Sequence, residues 1–296
     1  MRKKGIQVIT RNILQLSKVK ITIAVSFTTI TGYVLARGEF DAGFLWVTLG
    51  IFLLACGASV LNHIQEYRTD AVMNRTKNRP IPSGKISREG AFIIFLVEFL
   101  AGVAILYYKV NIGALLLGLL AWVWYNFVYT YLKRVTSHAV IPGSLIGAIP
   151  PLVGWVAAGA SISDPRAWAM ALFFFVWQVP HFYLLVMKYG EQYKKAGIPS
   201  LTESYSEQTI RLMIFLWIVT TTLSALLLFY FGLLRSLSGL VVVLAASLWL
   251  VVVFFIPLIR KKKEFLPFSY FMRINYYVLF IIVILNIDHL LYEYFV

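Results

Sequence analysis

The chain contains one cysteine, Cys56, among its 296 residues. A lone cysteine inside an apolar run excludes a disulfide framework and a thiolate metal centre, so Cys56 reads as a packing residue. Charge is scarce as well: Asp, Glu, Lys and Arg make up 14% of the sequence, against roughly 25% in ordinary soluble domains. There is no low-complexity tract, and there is none of the internal repetition expected of inverted-repeat transporters. The start, Met1-Arg2-Lys3-Lys4, continues through Gln7, Arg11 and Asn12 rather than into a short apolar segment with a cleavage site. No removable signal peptide is expected from that pattern.

Apolar sequence is abundant, at 60% of the residues. It recurs in blocks at 19–36, 42–61, 91–108, 112–129, 138–159, 168–187, 212–231, 237–259 and 274–291. Each block approaches the roughly 20 residues that a helix needs to cross a bilayer. The expected fold is therefore an all-α membrane protein, a bundle of about nine transmembrane helices with functional loops on the cytoplasmic side. One polytopic domain over residues 1–296 uses nearly the whole chain.

The distribution of positive charge sets the orientation, because loops rich in Lys and Arg stay in the cytoplasm. With the N-terminus inside, 23 of the 27 Lys and Arg residues fall on the inner side, and only Arg37, Lys109, Arg166 and Arg235 fall outside. The expected arrangement is an inner-membrane, multi-pass protein with a cytoplasmic N-terminus and a periplasmic or extracellular C-terminus. The net charge of +14 is thereby explained by topology. The lipid bilayer is the partner it implies, and nucleic acid is not.

Two inner connections are long, at about 62–90 and 187–211, and long loops in compact folds usually carry function. In the first, Asn62, Glu66 and Asp70 are spaced by four. If the helix continues, each step of four advances about 6 Å and turns about 40° past one revolution, which sets the three oxygen side chains in one stripe. Such a stripe suits Mg²⁺, which commonly takes one or two protein carboxylates and fills its remaining positions with water and phosphate oxygens. Arg75 and Arg79 follow, with guanidinium forks suited to phosphate oxygens, and Lys77 adds a point charge. Glu98 stands in the middle of an apolar block. An intramembrane carboxylate is costly, and two readings stay open for it: hydrogen-bonded to another helix, or touching substrate.

The run Asn62-xxx-Glu66-xxx-Asp70-xx-Met73-x-Arg75-Thr76-xx-Arg79-Pro80 resembles the first signature of the UbiA-type intramembrane prenyltransferases, in the variant found in haem O synthases (protohaem IX farnesyltransferases). That family usually carries Asp where this chain has Glu66, and Asn, Arg and Asp where it has His63, Tyr67 and Arg68. Lys133 and Arg134, after Tyr129-Thr130-Tyr131-Leu132, are similar to the family's basic pair that reaches the diphosphate. Trp177-Gln178-Val179-Pro180-His181-Phe182 resembles the WQxPHF signature that separates haem O synthases from relatives acting on quinone precursors or chlorophyllide. Glu191, with Gln192 after it, takes the place of the family's second acidic motif.

The resemblance implies a prenyltransferase that moves a farnesyl group from farnesyl diphosphate to a vinyl group of protohaem IX (haem B), giving haem O for haem A biosynthesis. Asn62, Glu66, Asp70 and His181 would be its catalytic residues. Arg75, Arg79, Lys133, Arg134, Trp177, Gln178 and Glu191 would bind substrate. Mg²⁺ would be held by Glu66, Asp70 and Glu191, and haem A synthase is an implied partner. His181 could ligate the haem iron or move a proton. The alternative within the same family is another acceptor, a quinone precursor or a different tetrapyrrole.

Overall fold

In the computed structural model, which describes residues 2–259 and 265–295, every regular element among the described residues is helical. Side chains are described for 7–259 and 265–292, so Arg260, Lys261, Lys262 and Lys263 and the side chains of Arg2, Lys3 and Lys4 lie outside the described residues. Among the described residues a short helix, α1 (Arg2–Leu16), precedes nine helices long and apolar enough to span a membrane. These are α2 (Val19–Arg37), α3 (Ala42–Val72), α4 (Arg88–Val110), α5 (Ile112–Leu132), α6 (Ser137–Ala157), α7 (Pro165–Lys195), α8 (Glu207–Tyr230), α9 (Leu237–Ile259) and α10 (Pro267–Tyr292). Helices are forced here, since lipid offers no hydrogen bonds to backbone N–H and C=O groups. The chain is a multi-pass membrane protein.

Three features depart from the pattern of apolar blocks. Helix α1 is additional: its apolar residues are diluted by polar ones, so it makes no continuous run. Helices α3 and α7 each contain 31 residues, about 46 Å at 1.5 Å per residue, well beyond a hydrocarbon core of about 30 Å. Both expected inner loops consequently begin as helix. Residues 62–72 and 187–195 extend α3 and α7 past the core, and Asn62, Glu66, Asp70 and Glu191 all ride on helices rather than on loops.

Behind α3, residues 73–87 fold back in tight turns, with Thr76 N donating to Met73 O at 3.0 Å, Arg79 N to Thr76 O at 2.9 Å and Lys85 N to Pro80 O at 2.9 Å. Helix α5 loosens into a π-helical turn at Trp124–Tyr129, a deformation frequent at functional sites. The Thr130 hydroxyl accommodates it by donating to Tyr125 O at 2.8 Å. Helix α6 is broken near Ser144 and carries Pro150 and Pro151, and α7 contains Pro180. Proline lacks the N–H that would bond the carbonyl four residues earlier, which frees the Val176 carbonyl one turn below His181.

Helices α2 and α6 approach to backbone contact. A Cβ on Gly32 would collide with Pro151 O, and one on Gly154 with Thr29 O. Small residues at a crossing let membrane helices pack where hydrophobic driving force is weak. A large buried cluster joins α6 to α10 around Trp155, Phe173, Phe174 and Ile218, and a second joins α2 to α6 around Ile51, Leu54 and Val153.

Candidate active site

A cavity of about 870 Å³ opens between these two packed regions, lined from α2, α3, α5, α6, α7 and α10. Its size falls in the range of small-molecule sites, about 300–1,000 Å³. The walls change character along its length.

One end is charged. Asn62, Glu66 and Asp70 all line it and are all buried, Asp70 completely, because the 3.6-residue repeat of α3 keeps positions four apart on one face. The turns after α3 return Arg79 to Asp70, with Nη1 at 2.7 Å from Oδ2. Thr76 Oγ1 donates to Asp70 O at 2.9 Å and fixes that return. From the end of α5, Lys133 forms an ion pair with Glu66. Asn62 Nδ2 donates to Thr130 Oγ1 at 3.1 Å, and its carbonyl oxygen accepts from Lys18 Nζ at 2.9 Å. Lys18 also donates to Tyr125 OH at 3.1 Å. Burial, reinforced by the Arg79 and Lys133 charges, lowers the Lys18 ammonium to about 7 against the opposing pull of Glu66 and Asp70. Arg75 lies over Tyr189, 4.5 Å from its ring centre, and its backbone N–H donates to Gln192 Oε1 at 3.0 Å, tying the first inner connection to α7.

The other end is aromatic. His181 packs 4.5 Å from the Phe271 ring and 5.3 Å from the Trp177 ring, centre to centre. Its Nδ1 lies 3.0 Å from Asn275 Oδ1. The Asn275 amide nitrogen donates to Phe271 O, so the oxygen is the atom presented to the histidine and Nδ1 carries the proton. The lone pair then resides on Nε2. Gln178 lies against Gly147, where a Cβ would collide with its amide oxygen. The Trp177 indole N–H is buried and has no hydrogen-bond partner among the described residues.

Whether a divalent cation fits can be judged at the charged end. Among the described residues no cluster of three or more His, Cys, Asp or Glu side chains could hold an ion by itself. Asp70 Oδ1, however, is buried with no hydrogen bond among the described residues, and unsatisfied buried oxygens are costly. Two carboxylates with one open oxygen fit an ion whose remaining ligands are phosphate oxygens and water.

Two expected residues do not join the site. Arg134 is exposed, and its guanidinium is held on the far side of α3 by Gln65 O at 2.9 Å. Successive residues of the tight turn after α5 point to different sides, which separates it from Lys133. Glu191 is exposed and outside the cavity lining, since its neighbours Tyr189, Gln192 and Tyr193 take the inward and inter-loop positions on α7. Conversely, Lys18, His63, Tyr125, Tyr129, Tyr189, Tyr193 and Asn275 line the cavity without having been singled out. Both ring nitrogens of His63 are buried without partners among the described residues. A polar residue in an apolar span, as at Asn275, is the one signal that could have found any of them. Lys18 reads in sequence only as one more inner positive charge.

Residues 25–277 match the model of the UbiA prenyltransferase family. The chain is 34% identical over 261 residues to a protoheme IX farnesyltransferase of Geobacter sulfurreducens, covering 88% of this chain and 94% of that protein. The fold is similar to a solved digeranylgeranylglyceryl phosphate synthase, with a TM-score of 0.77 at 18% identity over 95% of this chain and 98% of that one. It is also similar to a UbiA homologue from Archaeoglobus fulgidus bound to GPP and Mg²⁺, with a TM-score of 0.68 at 15% identity over 94% of this chain and 99% of the other.

Proposed function

The chain belongs to the UbiA prenyltransferase family, and we propose that it transfers a farnesyl group from farnesyl diphosphate to a vinyl group of haem B, yielding haem O. One observation carries this reading: a single cavity joins a buried charged end at Glu66, Asp70, Arg79 and Lys133 to an aromatic end at Trp177 and His181. An ionic headgroup and a flat aromatic acceptor need that pairing. The relatives named protoheme IX farnesyltransferase support the choice of acceptor.

In this reading Glu66 and Asp70 hold Mg²⁺, with Asn62 orienting the stripe, while Arg75, Arg79 and Lys133 bind the diphosphate oxygens. The ion, when bound, neutralises charge that accumulates on the departing diphosphate. The bond from the farnesyl C1 to oxygen breaks and its electron pair leaves with diphosphate. The terminal vinyl carbon of haem bonds to C1, and the positive charge passes to the carbon next to the macrocycle. Water adds there and loses a proton, giving the hydroxyethylfarnesyl group. Trp177 and Gln178 would line the acceptor floor, and the Nε2 lone pair of His181 would ligate iron or accept that proton. The surrounding spans exclude water from the allylic cation.

The protein would act as one polytopic domain over residues 1–296 in the cell inner membrane, with the N-terminus cytoplasmic and the C-terminus outside. Haem A synthase would consume its product. Membranes containing the protein are supplied with haem B, farnesyl diphosphate and Mg²⁺, and products are identified by mass. The expected result is haem O together with released diphosphate. Prenylation of a quinone precursor but not of haem would overturn the acceptor assignment.

A further inference from the structure

Lys18 and Glu98 stand outside the reaction as described, and the fold connects them. Lys18 sits between α1 and α2 with φ 47° and ψ 44°, the one non-glycine residue of positive φ among those described. A side chain bearing a Cβ is strained in that region, so surrounding contacts must hold it there. On one side, the buried Ser17 hydroxyl lies 2.6 Å from Glu98 Oε1, reaching across to the middle of α4. On the other, α2 restarts from the Lys18 carbonyl, which accepts from Ile21 N at 2.7 Å and Thr22 N at 3.1 Å. The left-handed turn between these anchors sends the Lys18 side chain into the cavity, where Nζ hydrogen-bonds to the Asn62 amide oxygen and the Tyr125 hydroxyl.

The charges at that end do not balance. Cations outnumber carboxylates there, since Lys18, Arg75, Arg79 and Lys133 line that end with the two buried carboxylates Glu66 and Asp70. Arg79 takes Asp70 and Lys133 takes Glu66. Among the described residues Lys18 has no carboxylate in ion-pair contact. A cation drawn out of water and left beside neutral acceptors is poised for an anion that arrives later. Glu98 is an equally costly group, a carboxylate inside a spanning helix with its Oε2 buried and without a hydrogen bond among the described residues. Holding the Ser17 hydroxyl is the task its geometry shows.

We propose that Lys18 is a diphosphate-binding residue, and that Glu98 is a positioning residue which, through Ser17, holds the left-handed junction that keeps Lys18 in the cavity. The assignment rests on the farnesyl-transfer reading for the identity of the anion. Haem also carries carboxylates, but the ammonium is bonded to Asn62, on the same stripe of α3 as Glu66 and Asp70.

The test uses the full chain in lipid nanodiscs and measures binding, not turnover, of three probes: inorganic pyrophosphate with Mg²⁺, the unreactive farnesyl thiodiphosphate with Mg²⁺, and haem B. Lys18→Met is expected to weaken both diphosphate probes by about tenfold or more, the loss of one charge-assisted contact, with haem B affinity held within about twofold. Glu98→Leu should shift the same two probes in the same direction. Glu98→Gln should bind them as wild type does, because its amide oxygen still accepts from Ser17. The double variant Lys18→Met with Glu98→Leu should bind no more weakly than Lys18→Met alone, since residues acting through one another are not additive.

Unchanged pyrophosphate binding in Lys18→Met overturns the proposal, as does a loss confined to haem B, which would place Lys18 on a propionate. Additive losses in the double variant would reduce Glu98 to a packing role. If Lys18→Met does not accumulate, Lys18→Cys in a Cys56→Ala background, compared before and after aminoethylation, restores or fails to restore the ammonium on one folded protein. Wild-type membranes that release no diphosphate with haem B would fail the farnesyl-transfer reading separately, whatever the binding of the Lys18 variants.

Discussion

The two ends of the cavity are built from opposite materials. At the charged end, buried carboxylates are matched by Arg79 from the turns after α3 and by Lys133 from the turn after α5. At the aromatic end, a single imidazole is held by one amide, Asn275, among Trp177, Phe182 and Phe271. The difference follows position in the fold. Asn62, Glu66 and Asp70 occupy the extension of α3 beyond a membrane's thickness, where charged side chains and their partners are tolerated. His181 lies within the α7 span, where a neutral group with a hydrogen-bond partner costs far less than an ion. In the proposed reaction the diphosphate would therefore bind at the end where charge is tolerated and the acceptor at the apolar end.

Substitutions that touch one end and spare the other test this division, and Asp70→Asn should have the largest effect. It removes one charge at constant size, and turnover should fall about a thousandfold while the amount of protein in the membrane stays near wild type. Rates by mass spectrometry and immunoblots of the same membranes separate the two. Comparable losses in both would mean that Asp70 serves only to pair Arg79.

His181→Ala should lower farnesyl transfer to haem by about a hundredfold and leave farnesyl thiodiphosphate binding intact. Titration of haem B by absorbance then distinguishes its two roles, because loss of an axial ligand shifts the haem bands and loss of a proton acceptor does not. A parallel loss of diphosphate binding would break the separation of the two ends.

Asn275→Leu should act in the same direction by about tenfold, in the range seen when the partner of a functional histidine is removed. Without the Oδ1 acceptor, the proton is no longer held on Nδ1 and the ring is free to turn. Activity equal to wild type would show that the neighbouring rings alone orient His181. The smallest effect belongs to Glu191→Gln and Arg134→Gln, each expected to change turnover by less than about twofold. A tenfold loss in either would place that side chain at the charged end after all.

Much of this was legible in the residues themselves. Nine apolar blocks correspond to nine spanning helices among the described residues, and the spacing of Asn62, Glu66 and Asp70 by four is enough to set them on one face. The edges were less legible. A polar residue at the end of α3 or α7 looks like loop when only hydropathy is read, yet it continues the helix when a neighbouring helix supplies its partner, as Lys133 does for Glu66.

By itself the sequence determined that the chain crosses a membrane many times as helices, because lipid leaves backbone groups no other partners. It also determined which residues of α3 share one stripe, because a helix repeats every 3.6 residues. Only the tertiary structure decided which member of an adjacent pair faces the cavity: Lys133 and not Arg134, Tyr189 and Tyr193 and not Glu191. It alone brought Lys18 to Asn62 and Ser17 to Glu98, across 44 and 81 residues of chain. Such pairings depend on how helices are rotated and stacked against one another, and no local pattern of residues records that rotation.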